Sequence, residues 1–249
     1  MSEDLNKILV FSKGLTKLFY IGIIVGFGSF VYYALGSHAD MAWTAFHLNF
    51  LFWAGLSHGA LLFASAMRIT ESSWGRPLIR IFESLGSFIP FVFIFIIFIY
   101  IGGEYTLPYM TTKPYYSQKA IWLNEVFVFS RTYLFVGGLH ILIYFYLYNS
   151  LRQDLAGTNL TKGFFAFLSK PLKENEGNFD SKLYKLSIAI AFIYALSMSF
   201  LAFDFMMSLD SHFYSTLFGV YYFMASVLGA LMLTVIISSM LTLKFKLDK

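Results

Sequence analysis

Six long apolar stretches constrain what this chain can fold into. Each is about 20 residues or longer, the length that an α-helix needs to cross roughly 30 Å of hydrocarbon at 1.5 Å per residue. They cover residues 15–35, 41–67, 81–101, 121–148, 183–207 and 213–243. Inside a bilayer every backbone polar group must be hydrogen-bonded within the protein, and these runs do not alternate as barrel strands do. The sequence therefore predicts an all-α, polytopic integral membrane protein with about six transmembrane helices in a single domain, 1–249.

The positive charges are distributed unequally between the predicted loops. Lys113 and Lys119 are the basic residues predicted on one side; apart from Arg131, the other Lys and Arg residues fall on the side of the N-terminus. Because cytoplasmic loops carry the excess of positive charge, both termini and the long loop at 149–182 are predicted to be cytoplasmic. The net charge of +4 then follows from membrane topology and indicates no nucleic-acid partner.

The absence of cysteine limits the cofactors of the chain. With no Cys, it cannot provide thiolate ligands for an iron–sulfur cluster or a haem, so any metal centre must use histidine or belong to a partner. We predict that this chain alone binds no cofactor. The pairs Gly22/Gly26 and Gly55/Gly59 have the four-residue spacing that places both glycines on one helix face, which favours close helix packing.

Ionisable residues within the apolar stretches are the first functional candidates, because each is costly in hydrocarbon unless it is paired or faces a cavity. Tracing the helix directions predicts one group towards the outer side: His47, Glu125, Arg131, Asp204, Asp210 and His212. Arg131 needs an acceptor because guanidinium does not lose its proton, and Asp204, Glu125 and Asp210 are the available carboxylates. The group is either a structural ion pair or, with its histidines, a site of proton transfer or quinol contact in a cavity that opens outward.

A second group, Glu83, His58 and His140, is predicted towards the inner side. One interpretation is an inner proton path. Alternatively, Glu83 is a carboxylate placed near a helix start by the helix dipole. His58 and His140 lie at similar predicted depth on the second and fourth predicted helices, which run parallel, so they could also be the two axial ligands of one haem b.

One motif connects the chain to a known family. The run FDFMMSLDSHFYSTLFGVY at 203–221 resembles the signature of ActC and ActF, the large membrane subunits of bacterial alternative complex III in the NrfD/PsrC-like superfamily. FWAGL at 52–56, WGRP at 74–77 and KAIWLN at 119–124 are further matches on the ActF side.

The resemblance implies a membrane subunit of a respiratory quinol:electron-acceptor oxidoreductase, built on a four-helix bundle and located in the bacterial cytoplasmic membrane. Its implied role is that of a scaffold with a proton-transfer or quinol-contacting function. The redox groups would be quinol or menaquinol, iron–sulfur clusters and haem c, the metals being held by partner subunits. The implied partners are an ActC-like subunit, iron–sulfur and multihaem cytochrome c subunits and a terminal oxidase, together with lipids.

The sequence leaves two alternative functions open, and it differs from the family pattern in one respect. The chain could instead be a haem b-containing anchor of another redox complex that uses His58 and His140, or a membrane transporter. Family members usually continue for several helices after the signature helix, whereas this sequence ends at Lys249. The expectation is that a second bundle belongs to another polypeptide or that the sequence is a shortened version.

Overall fold

The described part of the chain is helical and has six membrane-length segments. The structure, a computed structural model, describes residues 13–112, 117–157, 166–171, 178–210 and 212–245. Within these ranges it contains helices and no strand. Six helical segments are long and apolar enough to span a membrane: Thr16–Ala34, Ala39–Ile69, Arg76–Ile101, Glu125–Leu155, Phe179–Leu209 and Phe218–Leu241. The prediction of an all-α polytopic membrane protein is therefore confirmed.

Seven longer helices make up these segments. They are α1 (Lys13–Ala34), α2 (Ala39–Ile69), α3 (Arg76–Leu85), α4 (Ile89–Ile101), α5 (Glu125–Leu155), α6 (Phe179–Phe205) and α7 (Phe218–Phe245). The third membrane segment consists of α3 and α4, joined by a 3-10 turn at Gly86–Phe88. Pro90, in the first turn of α4, lacks the N–H that would continue the α-helical ladder through this point.

Several helix ends differ from the predicted ones. The side chain of Asn124 accepts a hydrogen bond from the backbone N–H of Phe127 at 3.2 Å, so α5 starts at Glu125 and not at 121. α5 then continues to Leu155, which shortens the predicted loop at 149–182. Residues 158–165 and 172–177 of that loop lie outside the described residues. The last helix starts at Phe218, five residues after the predicted start.

The chain divides into two compact units, Met1–Leu48 and Asn49–Lys249. In the described part of the first unit, α1 packs through Phe30, whose ring lies 5.1 Å from that of Trp43 and 5.5 Å from that of Phe46. The interpretation of the chain as one domain stays a prediction.

In the second unit, four helices contact one another in a closed ring. Tyr222 of α7 donates its hydroxyl to the carbonyl of Leu51 in α2 at 2.7 Å. α2 meets α5 at His58 and His140, and α5 meets α6 where the Ser197 hydroxyl donates to a carbonyl of α5 at 3.0 Å. The ring closes where Tyr194 of α6 donates to a carbonyl of α7 at 3.1 Å. These contacts make a four-helix bundle of α2, α5, α6 and α7.

The third membrane segment lies against one side of this bundle. The ring of Phe82 in α3 is 5.0 Å from Phe63 in α2, and the ring of Phe93 in α4 is 4.9 Å from Tyr133 in α5. α5 therefore contacts α2, α4 and α6, and it carries buried polar side chains towards more than one neighbour.

Glycine at position 59 permits a close approach of the backbones of α2 and α7. A Cβ atom added at Gly59 would lie 2.6 Å from the backbone oxygen of Ser226, whereas one added at Gly229 would meet nothing within 4 Å. We expect Gly59→Ala to destabilise the protein by about 1–3 kcal/mol, because backbone atoms would have to move. Gly229→Ala is the matched control and should leave stability unchanged or raise it by up to about 1 kcal/mol. Thermal unfolding in detergent, with equal midpoints for the two variants, would contradict this packing.

Candidate functional site

A buried ion pair joins α5 and α6. Nε of Arg131 donates to Oδ2 of Asp204 at 2.8 Å, and a second guanidinium nitrogen donates to Oδ1. The two residues are 6% and 0% exposed, which removes both charges from solvent. Two parallel hydrogen bonds match the planar fork of guanidinium to a carboxylate. Of the three carboxylates proposed from the sequence, Asp204 is therefore the one that holds Arg131.

The rest of the Arg131 guanidinium is held by the segment before α5. Its Nη1 donates to the backbone carbonyl of Trp122 at 3.0 Å. The guanidinium carbon lies 3.9 Å from the centre of the Trp122 ring and 4.7 Å from that of Phe127, which are cation–π distances. On the α6 side, the Ser208 hydroxyl donates to the backbone carbonyl of Asp204 at 2.5 Å. We call Arg131, Asp204, Trp122 and Phe127 the Arg131 cluster.

A cavity of about 670 Å³ shares residues with this cluster. It is lined by Lys119, Trp122, Leu123, Phe203, Met207, Ser208, His212, Tyr214, Ser215 and Thr216. Most of this lining is apolar or aromatic, with an imidazole, an ammonium and hydroxyl groups at its edge. Small-molecule sites are typically mainly apolar cavities of about 300–1,000 Å³ with a few polar groups. The cavity can therefore accept a mostly apolar small molecule that carries hydrogen-bonding groups, and we call it the His212 cavity.

Asp210 shapes the loop beside the His212 cavity. Its Oδ1 accepts hydrogen bonds from the backbone N–H groups of His212 at 2.8 Å and Phe213 at 3.3 Å. These bonds hold the pKa of the Asp210 carboxyl below its usual range. The lowered pKa keeps this exposed group ionised at neutral pH, so it orients the loop and is a poor proton acceptor.

Glu125 and Tyr109 line a second cavity, of about 960 Å³. Glu125 is half-buried in the first turn of α5. Tyr109 is buried, and its hydroxyl has no hydrogen-bond partner within the part of the chain that the structure describes. Burial, followed by the charge of Asp204, raises the pKa of Tyr109, so the phenol stays protonated. Sequence reasoning missed Tyr109 because nothing distinguishes it from the other tyrosines of an aromatic-rich loop.

His47 lies in the first unit, where it is buried in α2. The other residues predicted for the outer group belong to the second unit. A site that combines His47 with Arg131 stays a prediction.

His58 and His140 meet directly in the middle of the bundle. Their Nε2 atoms are 3.0 Å apart, and the rings stack with centroids 5.1 Å apart and planes 10° from parallel. Nδ1 of His58 lies 2.7 Å from the carbonyl of Ala54, which can only accept, so this nitrogen carries a proton. In a neutral pair, His140 must then donate the shared hydrogen bond.

This geometry does not fit a haem b between the two residues. Two imidazole nitrogens on opposite sides of one metal lie about 4 Å apart, twice a typical metal–imidazole bond of about 2 Å. The observed 3.0 Å is a hydrogen-bond distance. Among the described residues, no group of three or more His, Cys, Asp or Glu side chains could hold a metal ion.

Glu83, the remaining inner candidate, belongs to a network near the other end of α5. It is buried, forms an ion pair with Arg80 and accepts a hydrogen bond from the Ser150 hydroxyl at 2.6 Å. Arg80 also pairs with Asp154 at 2.5 Å, and Arg68 donates to Ser150 at 3.1 Å. The Arg80–Glu83 pair lies within α3, and the other contacts join α5 to α2 or α3. The arrangement explains Glu83 as a bridge between helices; a proton path through it stays a prediction.

The comparisons with known proteins do not identify the chain. No protein-family model matches it, and no curated protein is significantly similar to it in sequence.

Removing one partner of the buried ion pair should be costly. Asp204→Asn leaves the Arg131 guanidinium without a charged partner, and we expect a loss of about 3–5 kcal/mol in unfolding free energy. Replacing both residues, as in Arg131→Met with Asp204→Leu, should recover much of this loss because no unpaired charge remains. Equilibrium unfolding in mixed SDS micelles measures both effects.

Asp154→Asn is the matched control, because it removes the same type of charge from an ion pair in which the Asp154 side chain is 57% exposed. It should cost about 0–1 kcal/mol. Equal losses for Asp154→Asn and Asp204→Asn would contradict a special role for the buried pair.

Proposed function

We propose that this chain is an integral membrane subunit of a quinol-oxidising respiratory complex of the alternative complex III type, related to ActF. The observation that carries the proposal is the contact between the His212 cavity and the Arg131 cluster through Trp122. The sequence signature at 203–221 coincides with this place, because it includes Asp204, Ser208 and His212.

The cavity has the chemistry that a quinol head group requires. Its aromatic and aliphatic walls suit the ring, and Ser208, Lys119 and His212 bring hydroxyl, ammonium and imidazole groups to the lining. Histidine exchanges protons near neutral pH. His212 is therefore the residue to which we assign proton acceptance, whereas ionised Asp210 orients it through the backbone.

Oxidation of a quinol to a quinone releases two electrons and two protons. The chain has no cysteine, so the electrons would leave through iron–sulfur clusters and haem c of partner subunits. The protons would leave through His212 towards the side of the membrane that this loop faces. Arg131 and Asp204 form an ion pair without net charge, which favours a positioning role for them. They hold Trp122 and, with it, one wall of the cavity.

The proposal includes a location and an orientation. The chain would lie in the bacterial cytoplasmic membrane with its termini in the cytoplasm, which the asymmetric distribution of Lys and Arg supports. The partners would be an ActC-like subunit, iron–sulfur and multihaem cytochrome c subunits, and a terminal oxidase.

The test is purification of the tagged chain in mild detergent, followed by mass identification of its partners and a quinol oxidation assay. We expect co-purification of cytochrome and iron–sulfur subunits. His212→Asn should lower turnover at least about tenfold, since a positioned general base contributes about 10²–10⁴-fold. His38→Asn is the matched control, because His38 is an exposed histidine outside the cavity, and it should leave turnover unchanged.

Three other outcomes would overturn parts of the proposal. A chain that purifies without redox partners would contradict membership of such a complex and favour a transporter. A Soret band from the chain alone would favour a haem-binding anchor. An intact complex with full turnover in His212→Asn would remove the His212 cavity from the mechanism.

A further inference from the structure

A third cavity lies near the other end of α5 from the Arg131 cluster. Its volume is about 380 Å³, and it is lined by Met67, Arg68, Glu71, Ser72, Arg76, Ile79, Asp180, Leu183 and Tyr184. The lining therefore combines two guanidinium groups, two carboxylates and several apolar side chains. We call it the mixed-charge cavity.

The charged groups of the mixed-charge cavity are partly fixed and partly available. Arg68 is anchored by its hydrogen bond to Ser150 at 3.1 Å, and its guanidinium also interacts with the side chain of Tyr146. Asp180 is held by the side-chain amide of Gln153 at 2.9 Å, which leaves its other oxygen for a ligand. Arg76 and Glu71, both exposed, complete the charged part of the lining.

The level of the cavity in the membrane indicates the source of its ligand. The lining residues lie at the end of α2, in the connection to α3, in the first turn of α3 and in the first two turns of α6. Each of these helices belongs to an apolar segment long enough to cross a membrane. Their ends mark the boundary between hydrocarbon and water, which is the level of lipid head groups.

The charge balance of the cavity selects one type of head group. Arg68 and Arg76 provide donors that suit a phosphate. Glu71 and Asp180 would repel a head group that is only anionic, but they suit a cation with N–H donors close to that phosphate. A primary ammonium has three such donors, whereas the quaternary ammonium of choline has none.

We propose that the mixed-charge cavity binds the phosphoethanolamine head group of a membrane lipid, with the phosphate on Arg68 and Arg76 and the ammonium on Glu71 and Asp180. Met67, Ile79 and Leu183 provide the apolar side of the cavity for the part of the lipid next to the head group. This site is independent of quinol chemistry and stands whether or not the chain belongs to a respiratory complex.

The test uses the full chain, delipidated in detergent and titrated with phosphatidylethanolamine, phosphatidylglycerol or phosphatidylcholine, each with the same acyl chains. Native mass spectrometry measures the bound fraction. We expect phosphatidylethanolamine to bind about tenfold more tightly than the other two, which corresponds to about one charge-assisted hydrogen bond. Soluble phosphoethanolamine at millimolar concentration should displace it, because the head group provides the recognition.

Two substitutions separate the two halves of the site. Arg76→Gln should weaken phosphatidylethanolamine and phosphatidylglycerol alike, because both carry the phosphate. Asp180→Asn should weaken phosphatidylethanolamine alone and so reduce its preference over phosphatidylglycerol. Both residues are exposed, so the variants should fold, and circular dichroism checks that they do.

Lys185→Gln and Glu104→Gln are the matched controls, since each removes an exposed charge outside the cavity lining. They should leave lipid selectivity unchanged. Stronger binding of phosphatidylglycerol than of phosphatidylethanolamine would overturn the proposal, because it would indicate general attraction of anionic lipids to a basic surface. Equal selectivity in Arg76→Gln, Asp180→Asn and the controls would overturn it as well.

Discussion

The pairing of Arg131 with Asp204 is the interaction on which the second unit depends most. Guanidinium does not lose its proton, so an arginine within a membrane segment must meet an acceptor at the same depth. Two parallel hydrogen bonds then fix both the depth and the rotation of α6 relative to α5. Because Ser208 follows Asp204 by one helical turn, the same pairing sets one wall of the His212 cavity. The same pair therefore joins the two helices and positions a wall of the cavity.

The six membrane segments could be predicted from the sequence because continuous apolarity is a local property that a bilayer converts directly into helices. The partner of Arg131 could not be predicted in this way. Depth along a helix restricted it to a few carboxylates, but the choice among them depends on which helices are neighbours and how each is rotated. Similar depth also brought His58 and His140 together in the prediction. Whether they hydrogen-bond directly or hold a metal between them depends on the distance between α2 and α5, which the sequence does not give.

Segment ends were predicted less well, since they depend on single side-chain contacts. Asn124 caps α5 and separates it from the short helix that ends at Trp122. A hydropathy window averages over this break, because the two polar residues Asn124 and Glu125 lie between apolar residues. The break also affects the candidate site, because it turns the carbonyl and ring of Trp122 towards Arg131. Tyr109 is another case: it is buried whereas Tyr105 of the same loop is exposed, a difference that only the packing of the loop decides.

α5 organises the bundle because its buried polar residues contact α6, α2 and α3 at three positions along its length. Arg131 binds α6, His140 binds α2, and Ser150 binds Glu83 of α3 and Arg68 of α2. Hydrocarbon gives apolar helices little preference for one neighbour over another, so polar contacts and close packing must select the partners. Contacts at three positions along one 31-residue helix fix the depth of its neighbours together. α5 therefore contacts the Arg131 cluster near one end and, through Ser150, Arg68 of the mixed-charge cavity near the other.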